Sequence, residues 1–181
     1  MLTEHISSDL KQYAWDVVSS KNFGTRQAGF NGTKENQFVG IIGEVFIYKT
    51  IHNAFPKFDT FTFTDVLING KRFDVKTMGR TVAFRPDFVH NFVAHQAAHD
   101  VDGFIFCSIN KTESIIEVCG WIPKSEFFET AELIRAGKVR HRADGSTFVV
   151  MSDLYELPNK FLNPINTRND LLNAGITNSL Q

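Results

Sequence analysis

FTFTDVLINGKRFDVKT, residues 61–77, is the stretch on which the reading of this chain turns. Two runs rich in β-branched and aromatic residues flank Asn69-Gly70, the pair best suited to the two-residue turn of a β-hairpin. That turn pairs Ile68 with Lys71, Leu67 with Arg72 and Val66 with Phe73, so Asp65 falls opposite Asp74. Side chains alternate along a strand, which puts Asp74 and Lys76 on one side and Val66, Ile68, Phe73 and Val75 on the other. The second set can bury against helices. The first sets two carboxylates against each other, and like charges across a strand pair are destabilising. A hard divalent cation reverses that sign, because magnesium takes carboxylate and carbonyl oxygens. Asp65, Asp74 and the Val75 carbonyl therefore make half of a candidate cage. Lys76 beside them can orient or help deprotonate an attacking water and offset negative charge in a transition state. These are the parts required for hydrolysis of a phosphodiester.

Working outward, Phe38, Ile41, Ile42, Val45, Phe46 and Ile51 predict a helix from Lys34 to about Ala54, ended by Pro56. Gly40 and Gly43 sit inside it, each at a cost of up to ~1 kcal/mol relative to alanine, which points to close approach of another backbone. Gln37, Gly40 and Glu44 share a stripe of that helix that is not apolar. Ile6, Leu10, Tyr13, Ala14, Val17 and Val18 predict an earlier helix from Thr3 to about Ser20, and the glycines and asparagines of 21–34 mark a loop whose phosphate candidate is Arg26. Downstream, 88–95, 103–109 and 114–122 read as strands, and 124–137 as a helix closed by Gly137. Asp144-Gly145 suggests a second hairpin with a short strand near 148–151, and the tail beyond reads as extended and wrapped on the surface. The expectation is one α/β domain with a mixed four- to five-stranded sheet flanked by helices, a core of about 34–137 and an extension over 138–181.

The length of 181 residues suits one domain that buries a core unaided. Eighteen phenylalanines, spread along the chain, supply that core. Two cysteines, Cys107 and Cys119, are too few for a disulfide framework, lack zinc spacing and lie in apolar strands, where they read as small buried hydrophobes. No apolar run approaches the ~20 residues of a membrane span and the first residues lack a signal-peptide layout, so a cytoplasmic protein is expected. No Gly-rich phosphate loop suggests a nucleotide cofactor. A net charge of −1 gives no overall basic excess, but Lys71, Arg72, Lys76, Arg80 and Arg85 form one basic cluster, and Arg135, Lys138, Arg140, His141 and Arg142 another. Either can meet phosphate or simply be solvated. His95 and His99 stand at i, i+4, but with no neighbouring glutamate, on a segment that is leaving a strand, they read as surface-facing polar residues rather than zinc ligands.

Asp65 followed by Asp74-Val75-Lys76, with Glu44 on a preceding helix, resembles the PD-(D/E)xK nuclease superfamily over about residues 34–120. The resemblance implies a restriction endonuclease-like core and a magnesium-dependent nuclease for which manganese substitutes. Carried over by position, Asp65 and Asp74 become metal ligands, Val75 lends its carbonyl, Glu44 completes the shell directly or through water, and Lys76 is the base or electrostatic helper. Thr64 stands where many members carry proline. DNA is the implied partner, with Arg26, Gln37, Arg80, Arg85 and Gln96 as its candidate contacts. Endonucleolytic cutting follows from the chain's size, and a homodimer would supply one site per strand. Gly120-Trp121-Ile122-Pro123 followed by a helix is similar to bacterial and phage-encoded members, which places the protein in a bacterial or phage-infected cytoplasm. The rival reading is a nucleic-acid-binding or assembly protein that keeps the fold and does not cut; a structural protein with an accidental D-x-K is a third.

Overall fold

The computed structural model describes residues 1–21, 33–58, 64–141, 145 and 147–176. The Asn69-Gly70 turn joins β2 (Val66–Ile68) to β3 (Lys71–Arg80) in the anticipated register, Val66 opposite Phe73, Leu67 opposite Arg72 and Ile68 opposite Lys71. Asn69 and Gly70 have φ of 50° and 75°, the left-handed pair that a type I′ turn demands. Further strands extend this hairpin. β1 (Leu2–His5), β5 (Gly103–Asn110) and β6 (Ile115–Pro123) complete a mixed five-stranded sheet of order β1-β6-β5-β3-β2, in which β3 and β5 run parallel and the other pairs antiparallel.

Two helices, α1 (Ser8–Ser20) and α2 (Lys34–His52), cover one face. Thr33 caps α2 through its hydroxyl, which accepts the Asn36 N–H at 3.2 Å, and Asn53 at φ 52° ends it. The layer between is mainly aliphatic: Leu10, Val18, Ile42, Val45, Ile47, Val66, Val75, Ile105, Ile116 and Val118 are buried in it, beside Phe46, Phe73 and Trp121. Gly43 lets α2 sit down on β3, since a Cβ there would lie 1.8 Å from Thr77 Oγ1. The neighbour is thus a side chain rather than backbone, and at Gly40 nothing lies within 4 Å, so close approach accounts for only one of the two glycines.

The opposite face is aromatic. A second, antiparallel sheet of order β4-β10-β7, made by β4 (Val89–Val93), β7 (Glu132–Ile134) and β10 (Leu154–Pro158), contributes to a cluster of Phe92, Phe104, Phe106 and Phe127. Ring centroids lie 4.8 Å apart for Phe92–Phe104 and 5.0 Å for Phe104–Phe127. A two-stranded antiparallel ribbon pairs β8 (Val139–His141) with β9 (Thr147–Val149) where a hairpin was anticipated, and Asp144 of the anticipated turn lies outside the described residues.

Three expectations need correction. The first helix begins at Ser8 rather than Thr3, because Leu2–His5 pair with Ile115–Val118 as an edge strand. The helix after Pro123 stops at Thr130 (α3, Lys124–Thr130), and Glu132–Ile134 instead pair with β10. Nor is the tail a surface wrap: β10 is the middle strand of its sheet, and Ile165, Leu171 and Ala174, around α4 (Arg168–Leu172), are buried in the aliphatic cluster. Among the described residues no helix is long and apolar enough to cross a membrane.

Candidate active site

The ladder between β2 and β3 continues past Val66 through one residue that uses its side chain. The Asp65 N–H donates to the Phe73 carbonyl at 2.9 Å, and its Oδ2 accepts the Val75 N–H at 2.7 Å. These bonds hold the Asp65 carboxyl at the sheet edge next to Asp74. Asp74 pairs in register with Phe104 and Lys76 with Phe106, so both point into the aromatic side, where Lys76 Nζ lies 5.6 Å above the Phe92 ring. The Asp74 side chain is 4 % exposed; its Oδ1 holds Lys76 Nζ at 2.6 Å and its Oδ2 faces His99 Nδ1 at 3.7 Å.

The two carboxyls are driven apart electrostatically. Burial raises the Asp65 carboxyl well above the usual carboxylate range, and the charges of Glu44 and Asp74 push the same way against Lys76 and the Val75 N–H. Burial also works to raise Asp74, but the Lys76 ammonium, with His99 and Asp65 as further partners, holds it below the ordinary value. One member of the pair therefore keeps its charge while its neighbour tends to hold a proton, the behaviour of like charges sharing a site. Glu44, half-buried on α2, acts on Asp65 through its charge.

Does this set suit a divalent cation? Asp74 Oδ2 is buried without a hydrogen-bond partner, and three carboxylates bear on one another, both features that a hard cation relieves. Among the described residues, however, no group of three His, Cys, Asp or Glu side chains stands ready to hold a metal. The donor chemistry fits, with Asp65 and Asp74 as the residues that would hold the ion and Glu44 as the third carboxylate.

The residues expected to contact DNA are dispersed. Arg26 lies outside the described residues. Gln37 and Gln96 are half-buried, on α2 and in the 3₁₀ turn Ala94–Ala98. Arg80 is turned into the fold, donating to the Val89 carbonyl at 3.1 Å with its guanidinium 4.1 Å from the Phe88 ring centre. Arg85 is exposed and lies 3.4 Å from Asp87. In the second basic cluster Arg135 pairs with Asp153, Lys138 with Glu132 and Arg140 with Glu156, while Arg142 lies outside the described residues. Of the two histidines, His95 is exposed, whereas His99 joins the carboxylates, a placement the i, i+4 spacing did not signal. A cleft of about 380 Å³ lined by Tyr13, Val17, Lys21, Lys57 and Phe58, and one of about 360 Å³ near Phe84 and Cys119, include none of the carboxylates.

Comparison of the chain with protein-family models, with curated proteins and with solved structures finds no match.

Proposed function

We propose that this chain is a divalent-metal-dependent nuclease acting on DNA phosphodiester bonds, with a restriction endonuclease-like core and, as the favoured mode, endonucleolytic cutting by a homodimer. One observation carries the reading: a single hairpin brings Asp65, Asp74 and Lys76 together on a site edge, with Asp74 buried and Lys76 Nζ on its Oδ1 at 2.6 Å. A purely structural hairpin gains nothing from facing carboxylates. A bound magnesium ion supplies Lewis-acid polarisation of a phosphoryl oxygen and an activated water. The chain's own residues do the rest: Asp65 and Asp74 bind the ion, Glu44 adds negative charge behind Asp65, and Lys76 places an ammonium where phosphate charge develops.

The test is nicking of supercoiled plasmid DNA by the wild type, by Lys76→Ala and by Asp74→Asn, with magnesium or manganese and with folding checked by melting curves. Wild-type cutting that needs the ion and falls about 100-fold or more in both variants is the expected result. A second reading, a nucleic-acid-binding protein that does not cut, draws support from the lack of a closed three-ligand group among the described residues. DNA retention in a gel with no cut under either ion would replace the nuclease reading with that one.

A further inference from the structure

Asp74 makes unequal use of its two oxygens. Oδ1 is satisfied by Lys76, while Oδ2 is buried and lacks a hydrogen bond. A buried carboxylate oxygen left in that state costs free energy, so the group facing it matters. That group is the His99 imidazole, its Nδ1 3.7 Å away.

The backbone that presents this ring is tightly pinned. The His99 N–H donates to the Gln96 carbonyl at 3.0 Å, and the His99 carbonyl accepts from the Val101 N–H at 3.0 Å and from Lys124 Nζ at 2.5 Å. The residues that follow are tied to β3 itself: Asp102 N–H donates to the Arg72 carbonyl at 2.8 Å, Asp102 Oδ2 accepts the Arg72 N–H at 2.7 Å, and Asp100 pairs with the Arg72 guanidinium. Arg72 is two residues from Asp74 on the same strand. The backbone that carries the ring is thus tied to the strand that carries the carboxylate, and a small side-chain rotation of either closes the remaining gap.

We propose that His99 is a positioning residue for Asp74: its Nδ1–H donates to Oδ2 and fixes the plane of the carboxylate, so that the Lys76 contact and the edge toward Asp65 keep their directions. Outer-shell partners of this kind typically change metal affinity or activity about 10- to 100-fold when removed. The metal-dependent part of this inference rests on the proposed nuclease reading; the pairing itself does not.

Two measurements keep the two apart. First, in metal-free protein in mildly alkaline buffer, long-range proton–nitrogen correlation spectra of the imidazole report which ring nitrogen carries the proton. The expected result is a proton on Nδ1 of His99, lost to the other nitrogen in Asp74→Ala. Second, manganese affinity is read from the ion concentration that raises the melting temperature, in wild type, His99→Phe and His99→Asn. Asparagine keeps an N–H donor near the place of Nδ1, whereas phenylalanine keeps only the ring. His99→Phe should bind manganese about 10- to 100-fold more weakly and His99→Asn should recover most of the loss. An Nδ1 proton that responds to Asp74→Ala, in a protein that neither binds manganese nor cuts, sustains the pairing and ends the nuclease reading. A proton on Nε2 that ignores Asp74→Ala, or a His99→Phe protein that binds manganese like the wild type, overturns the assignment of His99.

Discussion

The two faces of the five-stranded sheet are built from different material. The helix face is filled mainly by valine, leucine and isoleucine, with Phe46, Phe73 and Trp121 among them, and the opposite face is dominated by phenylalanine rings. Among the described residues, buried atoms without hydrogen-bond partners on Asp74, Arg80, His90 and Ser108 are found with the aromatic layer, that of Asn91 lies on β4 beside it, and Thr77 Oγ1 lies on the helix face. Aromatic rings present polar edges and tolerate a cation above a face, as Lys76 over Phe92 shows. The difference teaches that Asp74 and Lys76 sit on the face whose packing accommodates polar groups, while Glu44 acts on Asp65 from α2 on the helix side.

Four measurements can break or sharpen this contrast. Phe127 is fully buried, with its ring centre 5.0 Å from those of Phe104 and Phe128. Phe127→Ala should lose about 3–5 kcal/mol in urea unfolding, and a loss below ~1 kcal/mol would mean that the aromatic layer is loosely packed.

His90 gives the next largest effect. Its Nε2 lies 3.0 Å from Asn159 Oδ1, and burial, aided by the Arg80 charge, holds the imidazole at about 4 against an ordinary 6.5. The unfolded chain therefore takes up the proton first as pH falls. Stability from keeping this ring neutral is fully present above 6.5 and drains away between 6.5 and about 4, in total about 3 kcal/mol. Melting curves across that window should show the loss in the wild type and a flatter profile in His90→Gln.

On the aliphatic side, Gly43→Ala drives a methyl group into Thr77, whose Cβ lies 3.0 Å and whose Oγ1 lies 1.8 Å from the new atom. Overpacking should cost about 1–3 kcal/mol despite alanine's better helix propensity. Thr77→Ala in the same chain should recover part of that, and strict additivity of the two changes would show that helix and strand do not press on each other here. The smallest effect belongs outside both layers. Arg135 is 73 % exposed, so Arg135→Ala should shift stability by less than about 1 kcal/mol despite its 2.6 Å contact with Asp153.

The hairpin register was legible because Asn69-Gly70 is a local signal, and α2 was legible because its apolar residues and the Pro56 stop are local too. Those two elements place Glu44, Asp65, Asp74 and Lys76. What sequence reasoning missed depends on distant partners. Leu2–His5 follow a helical apolar spacing into Ile6 and Leu10, yet the free edge of β6 claims them as a strand. Residues 132–134 continue the helical pattern of α3, and pairing with β10, twenty or so residues later, overrides it. The basic run at 135–142 gave no hint that Glu132, Asp153 and Glu156 would meet its cations. His99 reaches Asp74 only because Asp100 and Asp102 tie its segment back to Arg72, a relation that no periodicity encodes.

One consequence follows from the place of β10. Among the described residues it is the final strand in chain order and yet the central strand of its sheet, filling the gap between β4 and β7. During synthesis the ribosome must release residues 154–158 before those two strands have anything to bond to, so β4 and β7 emerge as raw edges. The wall of rings around Phe92 consequently closes late, and a nascent chain stalled before Leu154 exposes the very surface most prone to cling to its neighbours.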